Sequence, residues 1–289
     1  MIKIFVDSTC DLPDEYFKTW GIEMVPLRVI LNGKEYMDKL TIKISEVYET
    51  MRNGIIPKTS QPNYAEAYDI VYKQAAQGYN CIFLSFSEKL SGTYQIISSV
   101  FKEISTKFTN LKMEVIDTKS AALSSGIMAY QAARLAAAGK SFEEIVRMIK
   151  QLVNHVEYIF TISDLNWLIK GGRISKVDGF LGNVLNIKPV LQLRDGKIEL
   201  IGKVRSKKKA LNTLVDTLEQ RMAKFPEQII GISHADDLET ATELETMIKA
   251  RLGKINTITC MIGSVLGAHL GIGGVGVCCF SKLPELYVY

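Results

Sequence analysis

The chain has 289 residues, 47% of them hydrophobic and 23% charged, which is enough for about two domains of ordinary size and argues against extended disorder. Its net charge of +4 is too mild to make the whole-molecule field a case for nucleic acid. The start, Met1 to Asp7, lacks the basic and apolar regions of a signal peptide, and no run reaches the ~18 apolar residues of a membrane span, so a cytoplasmic protein without stable membrane insertion is expected.

The first half alternates short β-rich runs with amphipathic stretches, the mark of a mostly parallel sheet covered by helices. Strands are expected near Ile2 to Val6, Met24 to Leu31, Cys81 to Phe86 and Met113 to Ile116. Between them, Ala65, Tyr68, Val71, Tyr72 and Ala75 recur at helical spacing and Gly78 supplies a stop. A further helix is expected from about Ser91 to Lys107. Ser120 to Ala138 is rich in alanine and free of proline, so it reads as a well-buried helix ended by Gly139. Ser141 followed by Glu144 has capping-box spacing and opens the next helix, to about His155.

From Glu157 the character changes to a strand ending at Ile162, a short helix near Asp164 to Ile169, and the pair Gly171 and Gly172. Lys188 to Leu193 and Lys197 to Ile201 flank Arg194-Asp195-Gly196, a strong hairpin signal. Two amphipathic helices, about Lys207 to Lys224 and Asp236 to Leu252, then alternate with strands at Ile229 to Ser233, Ile255 to Met261 and Val275 to Phe280. The expected fold is α/β in two domains. Residues 1–155 form an N-terminal, mostly parallel sheet with helices on both faces, and residues 156–289 form a C-terminal α/β domain with a mixed sheet.

Five cysteines (Cys10, Cys81, Cys260, Cys278, Cys279) form no C-x-x-C pair and read as small buried hydrophobes of a reducing compartment. With three scattered histidines (His155, His234, His269), no metal site is expected. Three polar segments sit where helices are expected to start: Asp7-Ser8-Thr9, Thr59-Ser60-Gln61-Pro62 and Ser91-Gly92-Thr93. Unpaired backbone N–H groups and hydroxyls there suit an anion, and ordinary N-caps give the same pattern. The order strand, loop, helix favours Ser91, because α/β sheets bind ligands beyond the carboxyl ends of their strands. Thr59 has no strand expected immediately before it.

Gly271-Ile272-Gly273-Gly274-Val275-Gly276 is a literal G-x-G-x-x-G, but 13 residues follow Gly276 and they read as a final strand, so a nicotinamide site is rejected and no cofactor is expected. The glycines instead allow turns and close approach beside His269, which is either a structural histidine or a ligand-binding one. No nucleophile elbow, H-E-x-x-H or phosphate loop is present, so no catalytic residues are assigned. Binding is the better class. The alternative is a small-molecule enzyme using His269 as acid or base with a hydroxyl loop for an anion, and it needs a second catalytic partner that no motif supplies.

Five segments taken together resemble the DegV family, in the same order and across nearly the whole chain. They are Asp7-Ser8-Thr9-Cys10-Asp11-Leu12-Pro13, Thr59-Ser60-Gln61-Pro62, Leu90-Ser91-Gly92-Thr93-Tyr94, Lys170-Gly171-Gly172-Arg173-Ile174-Ser175 and Gly267-Ala268-His269. The resemblance implies a lipid-binding protein that holds one long-chain fatty acid in a closed cavity between or beside its two domains. It also implies a partner, the ATP-dependent kinase subunit of bacterial fatty acid kinase, which phosphorylates the presented carboxylate to an acyl phosphate for phospholipid synthesis.

By the same resemblance Thr59, Ser60, Ser91, Gly92, Thr93 and His269 surround the carboxylate, while Arg205 and Arg173 contact the kinase. The basic run Lys203, Arg205 and Lys207 to Lys209 is then either a docking edge or a solvated helix start. Ser87-Glu88-Lys89 departs from the small residues that family members tend to carry there, which bears on chain specificity or loop shape more than on the carboxylate site.

Overall fold

Apolar runs with strand periodicity, each followed by an amphipathic stretch, build a layered α/β molecule. The computed structural model describes residues 1–174 and 187–289. In chain order it begins β1 (Ile2–Asp7), α1 (Asp14–Trp20), β2 (Glu23–Val25), β3 (Arg28–Leu31), β4 (Lys34–Met37), α2 (Ile44–Arg52), β5 (Lys58–Ser60) and α3 (Tyr64–Ala75). Next come β6 (Asn80–Ser85), α4 (Thr93–Lys107), β7 (Met113–Asp117), α5 (Ala122–Ala137) and α6 (Phe142–Val153). The second half adds β8 (Val156–Thr161), α7 (Asn166–Lys170), β9 (Ile187–Arg194), β10 (Lys197–Arg205), α8 (Lys207–Met222) and β11 (Ile229–His234). It closes with α9 (Leu238–Leu252), β12 (Asn256–Met261), α10 (Ser264–Leu270) and β13 (Val275–Phe280).

The first sheet is parallel throughout, in the order β2-β1-β6-β7. Alternation along β1 and β6 sends Phe5 and Phe83 to one face, where they pack with Val71 and Ile97 of α3 and α4. Ile4, Val6, Ile82 and Leu84 go to the other face, with α5. Helix α5 also contacts β8, β11 and β13, so it lies between two sheets. That position explains its alanines, because a helix buried on both sides leaves little room for large side chains.

The second sheet is mixed, in the order β10-β9-β8-β13-β11-β12, antiparallel except for the β11–β12 pair. Its outer face packs Ile159, Ile232 and Val277 against Leu214 of α8 and Leu244 of α9. The expected hairpin forms, with Asp195 at φ 47° and Gly196 at φ 80°, the left-handed pair that a two-residue turn matched to the strand twist requires. The expected capping box is also present, Ser141 and Glu144 each accepting the other's backbone N–H.

Three sequence expectations fail. Met24 to Leu31 is not one strand, because Pro26 has no N–H to give a ladder and the chain leaves the parallel sheet there. β3 instead centres a separate antiparallel sheet of order β4-β3-β5. Thr59 therefore sits within a strand, β5. The segment Asp7-Ser8-Thr9 starts no helix, since α1 begins at Asp14 after Pro13.

Candidate functional site

Four of the segments singled out in the sequence, those of Thr59, Ser91, Arg173 and His269, converge on a cavity of about 300 Å³. Thr59, Ser60, Ser91, Gly92, Arg173 and His269 all line it. They arrive from four parts of the chain. β5 pairs with β3 through Val29 and Thr59, which fixes Thr59. Ser91 and Gly92 end the loop after β6, and α4 follows, so the partial positive charge of a 15-residue helix start adds to the field there. His269 lies in the last turn of α10.

The polar groups are linked in pairs. Thr59 Oγ1 lies 2.8 Å from His269 Nε2. Ser91 Oγ lies 2.8 Å from Thr93 Oγ1 and accepts the Thr93 N–H at 3.3 Å. Thr93 is buried and reaches the cavity through Ser91 rather than lining it. Burial, reinforced by the Arg173 guanidinium, pushes the His269 imidazole down to about 4. A ring held neutral at pH 7 donates at one nitrogen and accepts at the other. Gly171 is required by this packing, since a β-carbon there would lie 2.4 Å from His269 Nδ1.

Arg173 braces the wall, its Nε donating to the Leu90 carbonyl at 3.3 Å and its Nη1 to the Gly171 carbonyl at 2.6 Å. Ser175, the last residue of that motif, lies outside the described residues. Arg205 does not line the cavity; it is exposed at the end of β10.

The rest of the lining is apolar and comes from both halves. Leu27, Phe86 and Ala121 contribute from the first half, Tyr158, Phe160 and Leu193 from the second sheet, and Val265, Leu266 and Leu270 from α10. Tyr158 and Phe160 stack at 5.5 Å between ring centres. Sequence reasoning missed this lining. The i, i+2 pair Tyr158 and Phe160 marks one strand face, but which face meets a cavity depends on α5 and α10, which arrive from far along the chain. Gln61, read in the sequence as part of an anion-holding segment but not among the carboxylate residues, also lines the site, with its Oε1 packed against Gly92.

Asp7-Ser8-Thr9 is not part of this site. Its groups are already partnered: Asp7 accepts from Thr9 N at 3.1 Å, Thr9 Oγ1 at 2.6 Å and Phe86 N at 2.6 Å. Ser8 Oγ donates to Asp38 at 2.8 Å and accepts from Leu27 N at 3.1 Å. Among the described residues no group of three or more His, Cys, Asp or Glu is arranged to hold a metal ion.

A cavity lined mainly by apolar side chains, with hydroxyls, a neutral imidazole and the Arg173 guanidinium among them, suits an amphiphile with a single anionic head. A family model described as "Uncharacterised protein, DegV family" matches residues 1–282. A DegV domain-containing protein of Caldanaerobacter subterraneus is 32% identical over 277 residues, 96% of this chain and 97% of the relative. Among solved structures, a stearic acid-binding protein from Eubacterium ventriosum superposes with a TM-score of 0.90 at 27% identity, covering 96% of this chain and 97% of the other. A DegV family protein from Thermus thermophilus, described by its fatty acid binding, gives 0.87 at 30% identity over 97% of this chain and 99% of its own.

Proposed function

The chain belongs to the DegV family, and from that premise we propose that it buries one long-chain fatty acid and presents the carboxylate to an ATP-dependent fatty acid kinase subunit. The product is an acyl phosphate for phospholipid synthesis, and catalysis belongs to the partner. The observation that carries this reading is the joining, in one cavity of about 300 Å³, of an apolar body with Thr59, Ser91 and His269.

The energetics agree. An acyl chain of about fourteen methylenes gains on the order of 11 kcal/mol of gross burial, before the costs of association. A carboxylate leaving water needs hydrogen-bond donors, and the two hydroxyls and a neutral imidazole supply them, with the Arg173 guanidinium also lining the cavity. Such a set holds the anion while leaving its oxygen nucleophilic, which suits in-line phosphoryl transfer.

Residues 1–155 and 156–289 then act as two domains closing on the ligand. Arg205 and the exposed basic residues around it form the docking edge for the kinase, and Arg173 contributes beside the head group. A cytoplasmic location follows from this role, and among the described residues no helix is long and apolar enough to cross a membrane. The small-substrate enzyme is less well supported, because among the described residues the hydrogen-bond partner of His269 is Thr59 and no carboxylate touches the ring.

The test has two stages. Denaturation and organic extraction of the purified protein, with mass spectrometry against a mock purification, is expected to release near-stoichiometric fatty acid. Adding a fatty acid kinase subunit and ATP is then expected to yield acyl phosphate. Absence of lipid even after incubation with a range of fatty acids would move the reading to the small-substrate enzyme; bound lipid without phosphorylation would remove the kinase step alone.

A further inference from the structure

Gly267 lies in the middle of α10 and its φ is not positive, so no turn requires a glycine there. Helix propensity disfavours that choice, and a close packing contact accounts for it instead. A β-carbon on Gly267 would lie 2.5 Å from the Tyr48 hydroxyl and 2.8 Å from the ring carbon that bears it. Tyr48 belongs to α2, is fully buried and does not line the cavity. Its hydroxyl donates to the Ile262 carbonyl at 3.0 Å. The Ile262 N–H in turn donates to the His234 carbonyl at 2.7 Å, so Tyr48 grips the chain where the second sheet hands over to α10.

A helix of seven residues is too short to hold itself by propensity, so its place is set from outside. Asp11 accepts the Gly263 N–H at 3.0 Å, and Tyr48 packs against Gly267 one turn later. His269 follows after a rise of about 3 Å, its ring caught between Thr59 Oγ1 at 2.8 Å and the backbone of Gly171. We propose that Tyr48 is a positioning residue for the head-group site: with Gly267 it sets the height of α10 and so places the His269 ring against Thr59 and a bound carboxylate. The inference rests on the fatty-acid reading and deepens it. Val265, Leu266 and Leu270 of the same helix line the cavity, but apolar burial is non-directional and tolerates small shifts. A displacement of about 1 Å is enough to cost a hydrogen bond, so the effect falls on the carboxylate rather than on the tail.

The test uses the full chain and compares wild type with Tyr48→Phe, Gly267→Ala and the double variant. Tyr48→Phe deletes the hydroxyl and keeps the ring. Gly267→Ala removes no atom and keeps the test open should Tyr48→Phe fail to fold. Affinities are measured for palmitate and for hexadecanol, which keeps the tail and carries a neutral hydroxyl in place of the carboxylate. Imidazole nitrogen shifts of His269 in the ligand-free protein, all at pH 7, report its contact with Thr59, and urea unfolding reports stability.

Gly267→Ala is expected to weaken palmitate roughly tenfold, the loss of one hydrogen bond to a charged group, and Tyr48→Phe roughly fivefold because the ring still fills its place. Hexadecanol affinity is expected to stay within about twofold of wild type, which also reports that the variants are folded. The His269 shifts are expected to move in both single variants, and the double variant to bind palmitate no more weakly than Gly267→Ala alone, because both changes act through one contact. A lower unfolding midpoint with palmitate affinity and His269 shifts unchanged would make Tyr48 a support of the fold and overturn the proposal. Equal losses for palmitate and hexadecanol would place its effect on the tail wall and overturn it as well, as would losses that multiply in the double variant. Wild type that binds neither amphiphile would instead overturn the fatty-acid reading, whereas the His269 shifts, read without ligand, would still decide whether Tyr48 places the ring.

Discussion

Two polar clusters sit in this fold, and they differ in what they have left to offer. One surrounds Asp7, Asp11, Asp38 and Lys39, deep beneath the loops that follow β1 and β4. Lys39 Nζ donates to Asp11 at 2.8 Å and to the Cys10 carbonyl at 2.9 Å, and Asp11 also accepts the Gly263 N–H at 3.0 Å. Burial pushes the three carboxyls up. Burial opposes the charge on Lys39, yet Asp11 and Asp38 hold its ammonium above the usual range. The other cluster, Thr59, Ser91 and His269, carries no carboxylate and has hydroxyls beside an apolar cavity. The first is a staple that an anion would find already negative; the second has donors to spend on a ligand. Polar residues at strand ends are therefore not interchangeable candidates, because partners brought from distant elements decide which remain available.

Breaking the staple gives the largest expected effect. Lys39→Ala leaves Asp11 buried beside the start of α10 and is expected to destabilise the fold by about 3 kcal/mol, near the lower end for a severed buried pair because Asp11 can take up a proton. Urea unfolding checks it. A loss under ~1 kcal/mol would mean the ammonium does not hold this network together, and the contrast with the site would collapse.

Thr59→Ala with Ser91→Ala attacks the second cluster and sharpens the contrast. Fatty acid affinity is expected to fall about 100-fold, two hydrogen bonds to a charged group at ~1.5 kcal/mol each, while the unfolding midpoint stays near that of wild type. Calorimetric titration and urea unfolding on one preparation separate the two effects. A variant that loses stability instead of affinity would assign the hydroxyls to the fold.

The sequence made most of this frame legible. The hairpin at Asp195-Gly196, the capping box at Ser141 and the alanine-rich helix α5 follow from local chemistry, which acts over a few residues. The head-group role of Thr59, Ser91 and His269 came from the resemblance, since each alone looks like a cap or a lone histidine, although the order strand, loop, helix already favoured Ser91. The small sheet of β3, β4 and β5 was not legible, because its strands are short and stabilised by pairing partners up to about thirty residues away. The staple was misread for the same reason. Asp7-Ser8-Thr9 looks like an anion site until Asp38, Lys39 and Phe86 arrive to fill its valences.

His269 offers a titration test of the same contrast. Its folded value of about 4 lies below the ~6.5 of an unfolded histidine. Between those values the unfolded chain binds a proton that the folded chain does not, so this group's contribution to stability is complete above pH ~6.5 and is lost as pH falls toward 4. A bound carboxylate should raise the folded value by favouring the charged ring. Imidazole chemical shifts followed with pH, with and without palmitate, check both statements. A ring that titrates near 6.5 when ligand-free and does not respond to palmitate would remove it from the head-group site.

The smallest expected effect concerns Ser87, in the loop that follows β6. Ser87 is fully buried, and its hydroxyl donates to the Gly196 carbonyl at 2.8 Å. That bond ties the loop after β6 to the tip of the β9–β10 hairpin, whose Leu193 and Ile198 line the cavity. Ser87→Ala removes one neutral hydrogen bond and is expected to cost about 1 kcal/mol. Because the bond spans both halves of the cavity wall rather than touching the head group, the cost should appear as faster release of a fluorescent fatty acid, roughly fivefold, with little change in the rate of entry. Adding Thr59→Ala should multiply that acceleration, since a tie in the wall and a contact at the head group share no partner and act independently. If Ser87→Ala left release unchanged while lowering the unfolding midpoint, the bond would belong with the staple, as a support of the fold that the ligand does not feel.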